Sequence, residues 1–279
     1  MMQIKYSFPY WGSDHLSPSN FITNIANEGF DGAELLLQPP NSFTDDFLLA
    51  IENIRKQYPD FYFINLQLPF PENNSVAAHI TVMEENFRKL SALNPLFINS
   101  HTGKDYFSFD DNCRIIEAAM NFSAKNGVRI LHETHRGRFS FHAATLLAFL
   151  KKFPEMELVG DFSHFCTVSE SMLEDQENIL LQIIPHVSHI HARVGFEQGP
   201  QVNNPAAPEW DSHLNTFIGW WQQIIDFKKS KGDSLFTISP EFGPDPYMPV
   251  LPFTKEPLSI QWDNNVFMKN TLKQRLIVI

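Results

Sequence analysis

Short runs of aliphatic, aromatic and β-branched residues recur along the chain about every 30 residues, the length of one strand–helix unit. Eight runs stand out: Gln3 to Phe8, Gly32 to Leu36, Tyr62 to Leu68, Leu96 to Ser100, Val128 to Glu133, Glu157 to Asp161, Val187 to His191 and Leu235 to Ser239. Between them the apolar positions shift to helical spacing. Phe43 to Tyr58 carries Phe47, Ala50, Ile51 and Ile54; Val76 to Leu93 carries Ile80, Met83, Phe87 and Leu90; Asp110 to Lys125 carries Ile115, Ile116, Ala119 and Phe122. Gly127, just beyond that last pattern, predicts a helix C-cap, and Trp262 to Leu276 predicts the closing helix. Strand then helix, repeated eight times, predicts one α/β domain over residues 1–279. It is a single (β/α)8 TIM barrel with its active site at the C-terminal end of the strands. An open doubly wound sheet is the rival, but no G-x-G-x-x-G follows the first strand.

The length of 279 residues suits such a barrel, and 43% hydrophobic content fills its core. No run of 18 or more apolar residues predicts a membrane span. Met1 to Phe8 enters a strand pattern without a signal-peptide apolar region. Cys113 falls in a helix-like segment and Cys166 in a loop, which fits a reducing compartment. A cytoplasmic protein is expected. The net charge of −11 repels a phosphate backbone, and no dense Lys/Arg run offsets it, so no nucleic-acid partner is expected. Two proline-rich loops, at about 195–211 and 243–257, are long enough to be pocket walls. Their exposed aromatics are where a second copy in a homo-oligomer would meet the chain.

Chemistry concentrates at the strand ends. Glu133, Asp161, His191 and Glu241 end four successive units, each followed by a loop and a helix-like segment. One acidic residue there is ordinarily a helix cap or an ion-pair partner. Four in a row point to one divalent metal ion: hard oxygens plus an imidazole suit Mn2+, Mg2+, Co2+ or Zn2+. His189 shares a strand face with His191 but lies deeper, as a hydrogen-bonded core residue. His164, His135 and His101 also follow strand ends and are candidates for substrate contacts, as is Arg193, whose cation suits a hydroxylate, carboxylate or phosphate. Arg136 and Arg138 form a short basic loop that is either exposed or phosphate-binding. Trp11 and Trp210 offer aromatic faces to the C–H faces of a sugar.

The segments Leu-His-Glu-Thr-His around Glu133, Gly-Asp-Phe-Ser-His around Asp161 and His164, His-Ile-His-Ala-Arg around His191, and Ser-Pro-Glu-Phe-Gly around Glu241 resemble the xylose isomerase-like TIM-barrel superfamily. That group includes sugar isomerases and epimerases, hydroxypyruvate isomerase, inosose-processing enzymes and endonuclease IV. The resemblance spans essentially the whole chain, and its closing Pro-Glu-Phe-Gly-Pro-Asp-Pro segment looks like the sugar phosphate isomerase/epimerase subgroup. It implies metal binding by Glu133, Asp161, His191 and Glu241, proton transfer by Glu133 and Glu241, and substrate contact by His164. The ketose epimerases carry an arginine six residues after the strand-seven histidine; this chain has Glu197 there, and Arg193 is the substitute. The expected activity is isomerisation or epimerisation of a sugar-like hydroxy-carbonyl compound through a metal-stabilised enediolate. The alternatives are a metal-dependent hydrolase of the endonuclease IV type and a non-catalytic sugar-binding barrel.

Overall fold

The repeated apolar runs resolve into eight parallel strands that pair in chain order and close on themselves. The computed structural model describes residues 2–71 and 73–278. Its strands are β1 (Gln3–Pro9), β2 (Gly32–Leu35), β3 (Tyr62–Gln67), β4 (Ile98–Ser100), β5 (Ile130–Glu133), β6 (Leu158–Gly160), β7 (Val187–His191) and β8 (Leu235–Ser239). The helices are α1 (Pro18–Asn27), α2 (Ser42–Arg55), α3 (Val76–Ser91), α4 (Phe109–Asn126), α5 (Ala143–Lys152), α6 (Ser163–Ser169), α7 (Glu177–Ile183), α8 (Asp211–Ser230) and α9 (Gln261–Arg275). None of the described helices is long and apolar enough to cross a membrane.

β4, β5 and β6 are shorter than their apolar runs. Their leading residues, such as exposed Leu96 and Arg129, approach the barrel at its edge, ahead of the paired register that starts at Ile98 and Ile130. At β6 the pairing with β7 slips between Leu158 and Val159. Asp161 therefore sits just beyond β6 rather than inside it.

Local chemistry sets the helix ends. Ser17, Asn41, Ser75 and Ser108 each accept the backbone N–H three residues on, capping α1 to α4. Gly127 ends α4 at φ 65°, a left-handed conformation in which a Cβ is strained. Outside the sheet, apolar faces such as Phe21 and Ile25 of α1, Phe47 of α2 and Trp221 of α8 join one large core. Met83 and Phe87 of α3 pack with Ile115 and Ala119 of α4 in a second cluster.

Inside the barrel, Tyr62, Ile64, Phe97, Leu131 and Val159 form a small apolar plug. Above it lies a polar layer. His189 is fully buried and bonds the hydroxyls of Thr237 (2.7 Å) and Ser239 (3.1 Å), so both its nitrogens are occupied.

His79 on α3 is another buried imidazole. Its Nε2 accepts the Gly103 N–H at 3.2 Å. Burial, with the Lys104 and Arg138 charges, pushes its pKa down to about 4. An unfolded histidine titrates near 6.5, so below that pH the unfolded chain binds a proton that the folded chain refuses. This stabilisation is complete above pH 6.5 and is lost as pH falls toward 4, amounting to about 3 kcal/mol. The wild-type Tm should fall more steeply over that window than the Tm of His79→Gln, whose amide keeps an acceptor. Parallel slopes would show that His79 is not the acid-sensitive group.

Candidate metal centre

Strand alternation delivers the site. Leu131 and Val159 point into the barrel plug, so Glu133 and Asp161, two residues on, point to the same interior at its C-terminal mouth. His191 stands above His189, and Glu241 follows Ser239 by two. One ligand atom from each of Glu133, Asp161, His191 and Glu241 lies within 4.8 Å of all the others.

The electrostatics call for a cation there. His191 Nε2 donates to both oxygens of Glu34, each at 3.1 Å. That leaves Nδ1, which faces Glu241 Oε2 at 2.8 Å and Glu133 Oε1 at 3.7 Å. The 2.8 Å approach is out of line for N–H donation, and both His191 Nδ1 and Glu241 Oε2 are buried without a hydrogen-bond partner. An unprotonated nitrogen aimed at two carboxylates is repulsive unless a proton or a metal ion lies between them. Burial alone would push the His191 pKa down, but the Glu241, Glu34 and Glu133 charges lift it well above its ordinary value. A proton can fill that role in the free protein. The donor set, three carboxylates and one imidazole, fits a divalent metal.

Two other trios of ligand-type groups share these residues: Glu34 with His189 and His191, and His101 with Glu133 and His135. Both nitrogens of His189 are bonded to hydroxyls. Both nitrogens of His101 are bonded too, to Glu133 Oε2 at 3.1 Å and to Arg138 at 3.2 Å. Within these groups the unpartnered atoms are His191 Nδ1 and Glu241 Oε2 of the quartet, while Asp161 is held by Arg193 and by the N–H and hydroxyl of Ser163.

Glu34 and Asn99, which the sequence reading does not single out, hold the quartet in place together with His101 and Arg138, which it does. Glu34 on β2 orients His191, the carboxylate–histidine pairing that fixes a metal-binding tautomer. Asn99 on β4 donates to Glu133 Oε2 at 2.7 Å and to Glu34 Oε1 at 3.2 Å. Arg138 donates to His101 Nδ1, which makes His101 Nε2 the proton donor to Glu133. Burial pushes Glu133 up, yet the hydrogen bond from His101 and the positive charge of His191 hold its pKa well below the usual carboxylate range. Glu34→Gln removes the charge behind His191 and is expected to weaken metal affinity about 10- to 100-fold, as titration with Mn2+ or Zn2+ would show. Unchanged affinity would mean that Glu34 does not orient the ligand.

Arg193 is buried and folds back: it donates to Asp161, to His164 Nε2 at 2.9 Å and to Ser163 Oγ at 3.3 Å. Its Nη1 lies 3.6 Å from Glu241 Oε2, and the Tyr247 ring covers the guanidinium at 4.7 Å. His164 is fully buried, its Nδ1 without a partner. His135 lies between His101 and His164, its ring tilted against both with centroids 4.4 and 4.0 Å away.

A cavity of about 380 Å3 opens at Glu133 and Glu241 of the quartet and is lined also by Glu34, His101, His135, Arg193, Tyr247 and Trp11, among others. Asp161 and His191 lie buried behind it, and His164 and Trp210 do not line it. Trp210 instead packs against Phe196 and His213 and donates to Asn203 at 2.7 Å. Of the two long loops, 243–257 reaches the cavity through Tyr247, while 195–211 braces it from behind. Gln201 accepts the Gly243 N–H (2.7 Å) and donates to the Gly243 carbonyl (3.1 Å). Asn265 of α9 does the same for Phe242, at 2.8 and 3.1 Å. The two residues after Glu241 thus have every backbone polar group satisfied by an amide side chain.

No family model and no curated protein matches the chain in sequence. Solved structures do match it. D-allulose 3-epimerase from Methylomonas sp., in complex with D-allulose, gives a TM-score of 0.61 at 16% identity, covering 99% of this chain and 98% of that one. A xylose isomerase-like TIM barrel protein from Mycobacterium smegmatis, in complex with magnesium, gives 0.60 at 10% identity and covers 98% of each. This chain has the xylose isomerase-like TIM-barrel fold. The IOLI protein with a bound zinc atom also shares it, with a TM-score of 0.63 at 13% identity, covering 99% of this chain and all (100%) of that one. The neighbours of this fold thus include a sugar epimerase and barrels that hold magnesium or zinc.

Proposed function

We propose that this protein is a divalent-metal-dependent isomerase or epimerase of a sugar or related hydroxy-carbonyl compound, working by proton transfer beside the carbonyl. The observation that carries this reading is the convergence of Glu133, Asp161, His191 and Glu241 beneath a cavity, with unpartnered atoms facing inward. The sugar bound by the allulose epimerase and the ions in the other two neighbours support it. The ion, when bound, supplies Lewis-acid charge for the oxygen that becomes negative as a neighbouring C–H ionises.

The protein's own groups do the rest. Glu133 and Glu241 both line the cavity. Asn99 and His101 occupy Glu133 Oε2, which leaves Oε1 as the freer oxygen. Burial pushes the Glu241 pKa up, against the pull of His191 and Arg193, so that carboxylate takes a proton more readily than an exposed one. One glutamate removes the proton from carbon and the other returns it. Return to the opposite face of the same carbon inverts it; return to the adjacent carbon exchanges aldose and ketose. His101 and His135 line the cavity as well and would contact the substrate there.

The deciding experiment pairs metal content per chain with proton exchange in deuterated water, screened over ketoses, aldoses and cyclitol ketones. One ion per chain and deuterium entering beside a carbonyl are expected. Several ions without exchange would favour hydrolysis, and no ion even after reloading would remove the reading.

A further inference from the structure

The cavity has two unlike walls. Its ionisable groups come mainly from the strand ends β4 to β8. The opposite wall, built by β1 to β3 and the loops after them, is apolar: Tyr10, Trp11, Leu36, Phe43, Leu66 and Leu68. Leu36, Phe43 and Trp11 remain 42%, 39% and 38% exposed. Large apolar side chains left in water around one concavity mark a ligand surface.

This wall is pre-formed. The Trp11 carbonyl accepts from Gln261 at 2.6 Å, and the indole meets Tyr247 edge-on at 5.0 Å. The indole also lies so close to Gly243 that a Cβ there would come within 2.1 Å of it. Tyr10 is locked among Phe21, Phe43 and Phe47. One C–H face of a sugar would cover Trp11, and the hydroxyls around the ring would find little to bond on Leu36, Phe43, Leu66 and Leu68. The volume of about 380 Å3 falls in the roughly 300–1,000 Å3 range of sites that take drug-sized ligands.

Anionic substituents are poorly served. Among the described lining residues Asp14, Glu34, Glu133 and Glu241 are carboxylates, and the arginine beside them, Arg193, is already engaged by Asp161. Arg136 lies 5.0 Å from the Tyr247 ring and is not part of the lining.

We propose that the substrate joins its hydroxy-carbonyl part to an uncharged aryl or alkyl substituent, seated on the Trp11–Leu36–Leu68 wall. This rests on the isomerase or epimerase reading of the same site. A keto-glycoside fits the requirement, because a ring carbonyl and its neighbouring hydroxyl coexist with an apolar group on the anomeric oxygen.

The test compares methyl and phenyl 3-keto-β-D-glucosides, and the 6-phosphate of the methyl compound, in the metal-loaded protein by deuterium exchange. The phenyl compound should exceed the methyl one in kcat/KM by at least roughly tenfold, about 1.4 kcal/mol. That ratio should fall toward one in Leu68→Asn and in Leu36→Asn, the latter at an exposed position. Equal rates for methyl and phenyl, or preference for the phosphate, would overturn the inference and leave the reaction standing. Calorimetric titration with methyl and phenyl β-D-glucosides separates the two ideas if no probe exchanges. Roughly tenfold tighter phenyl binding, lost in Leu36→Asn, would support the apolar subsite without the reaction; equal or absent binding would overturn it.

Discussion

Glu133→Gln is expected to lower solvent proton exchange by about 10³-fold, within the range for loss of a positioned general base, while the barrel stays folded. The reason lies in the carboxylate's partners. Asn99 and His101 both need an acceptor at Oε2, so the amide oxygen of glutamine would turn toward them. Its NH2 would then face His191 Nδ1, where Glu133 Oε1 stands at 3.7 Å. A charged acceptor aimed into the site becomes a neutral donor, and ligand and base are lost together. Stability should fall as well. His101 and His191 hold the Glu133 pKa well below the usual carboxylate range, so the folded chain favours that charge near neutral pH. A thermal melt without metal should find the variant less stable than wild type but still cooperatively folded. Wild-type exchange in Glu133→Gln would defeat its assignment as the base.

Saturating divalent metal is expected to raise the Tm of the wild-type chain by roughly 5–10 °C. At a hundredfold excess over Kd, binding contributes about 2.7 kcal/mol, and each kcal/mol moves a domain of this size by roughly 2–4 °C. His191→Asn should erase the rise, because it removes the Nδ1 that faces the carboxylates. The readout needs no substrate, so it tests the metal centre apart from the chemistry. An equal rise in the variant would place the stabilising ion elsewhere.

The barrel was legible because burial leaves a trace: eight short runs, buried on both faces, separated by segments of helical spacing. The convergence of the four was legible because Glu133, Asp161 and His191 end runs and Glu241 follows the last run by two residues. Its supports were not. Glu34 and Asn99 are 65 residues apart in sequence and meet only when β2 and β4 come together around the closed barrel. Arg193 stands two residues beyond His191, but its long side chain folds back onto Asp161, and strand alternation does not encode that direction. Trp210 and Tyr247 lie in long loops, where no periodicity says which aromatic turns inward. Tyr247 reaches the cavity and Trp210 packs behind it.

The amide clamps after Glu241 bear on how this protein can be re-engineered. Because Gln201 and Asn265 grip the backbone of Gly243 and Phe242 from two sides, the segment carrying Tyr247 is not an independent cassette. A chimera that imports a foreign eighth loop alone would break bonds to the seventh loop and the last helix together. It would release the terminal glutamate's neighbours while leaving that glutamate in place. Grafts that transfer 195–211, 243–257 and the start of α9 as one unit would keep the scaffold's grip and change only what the cavity sees.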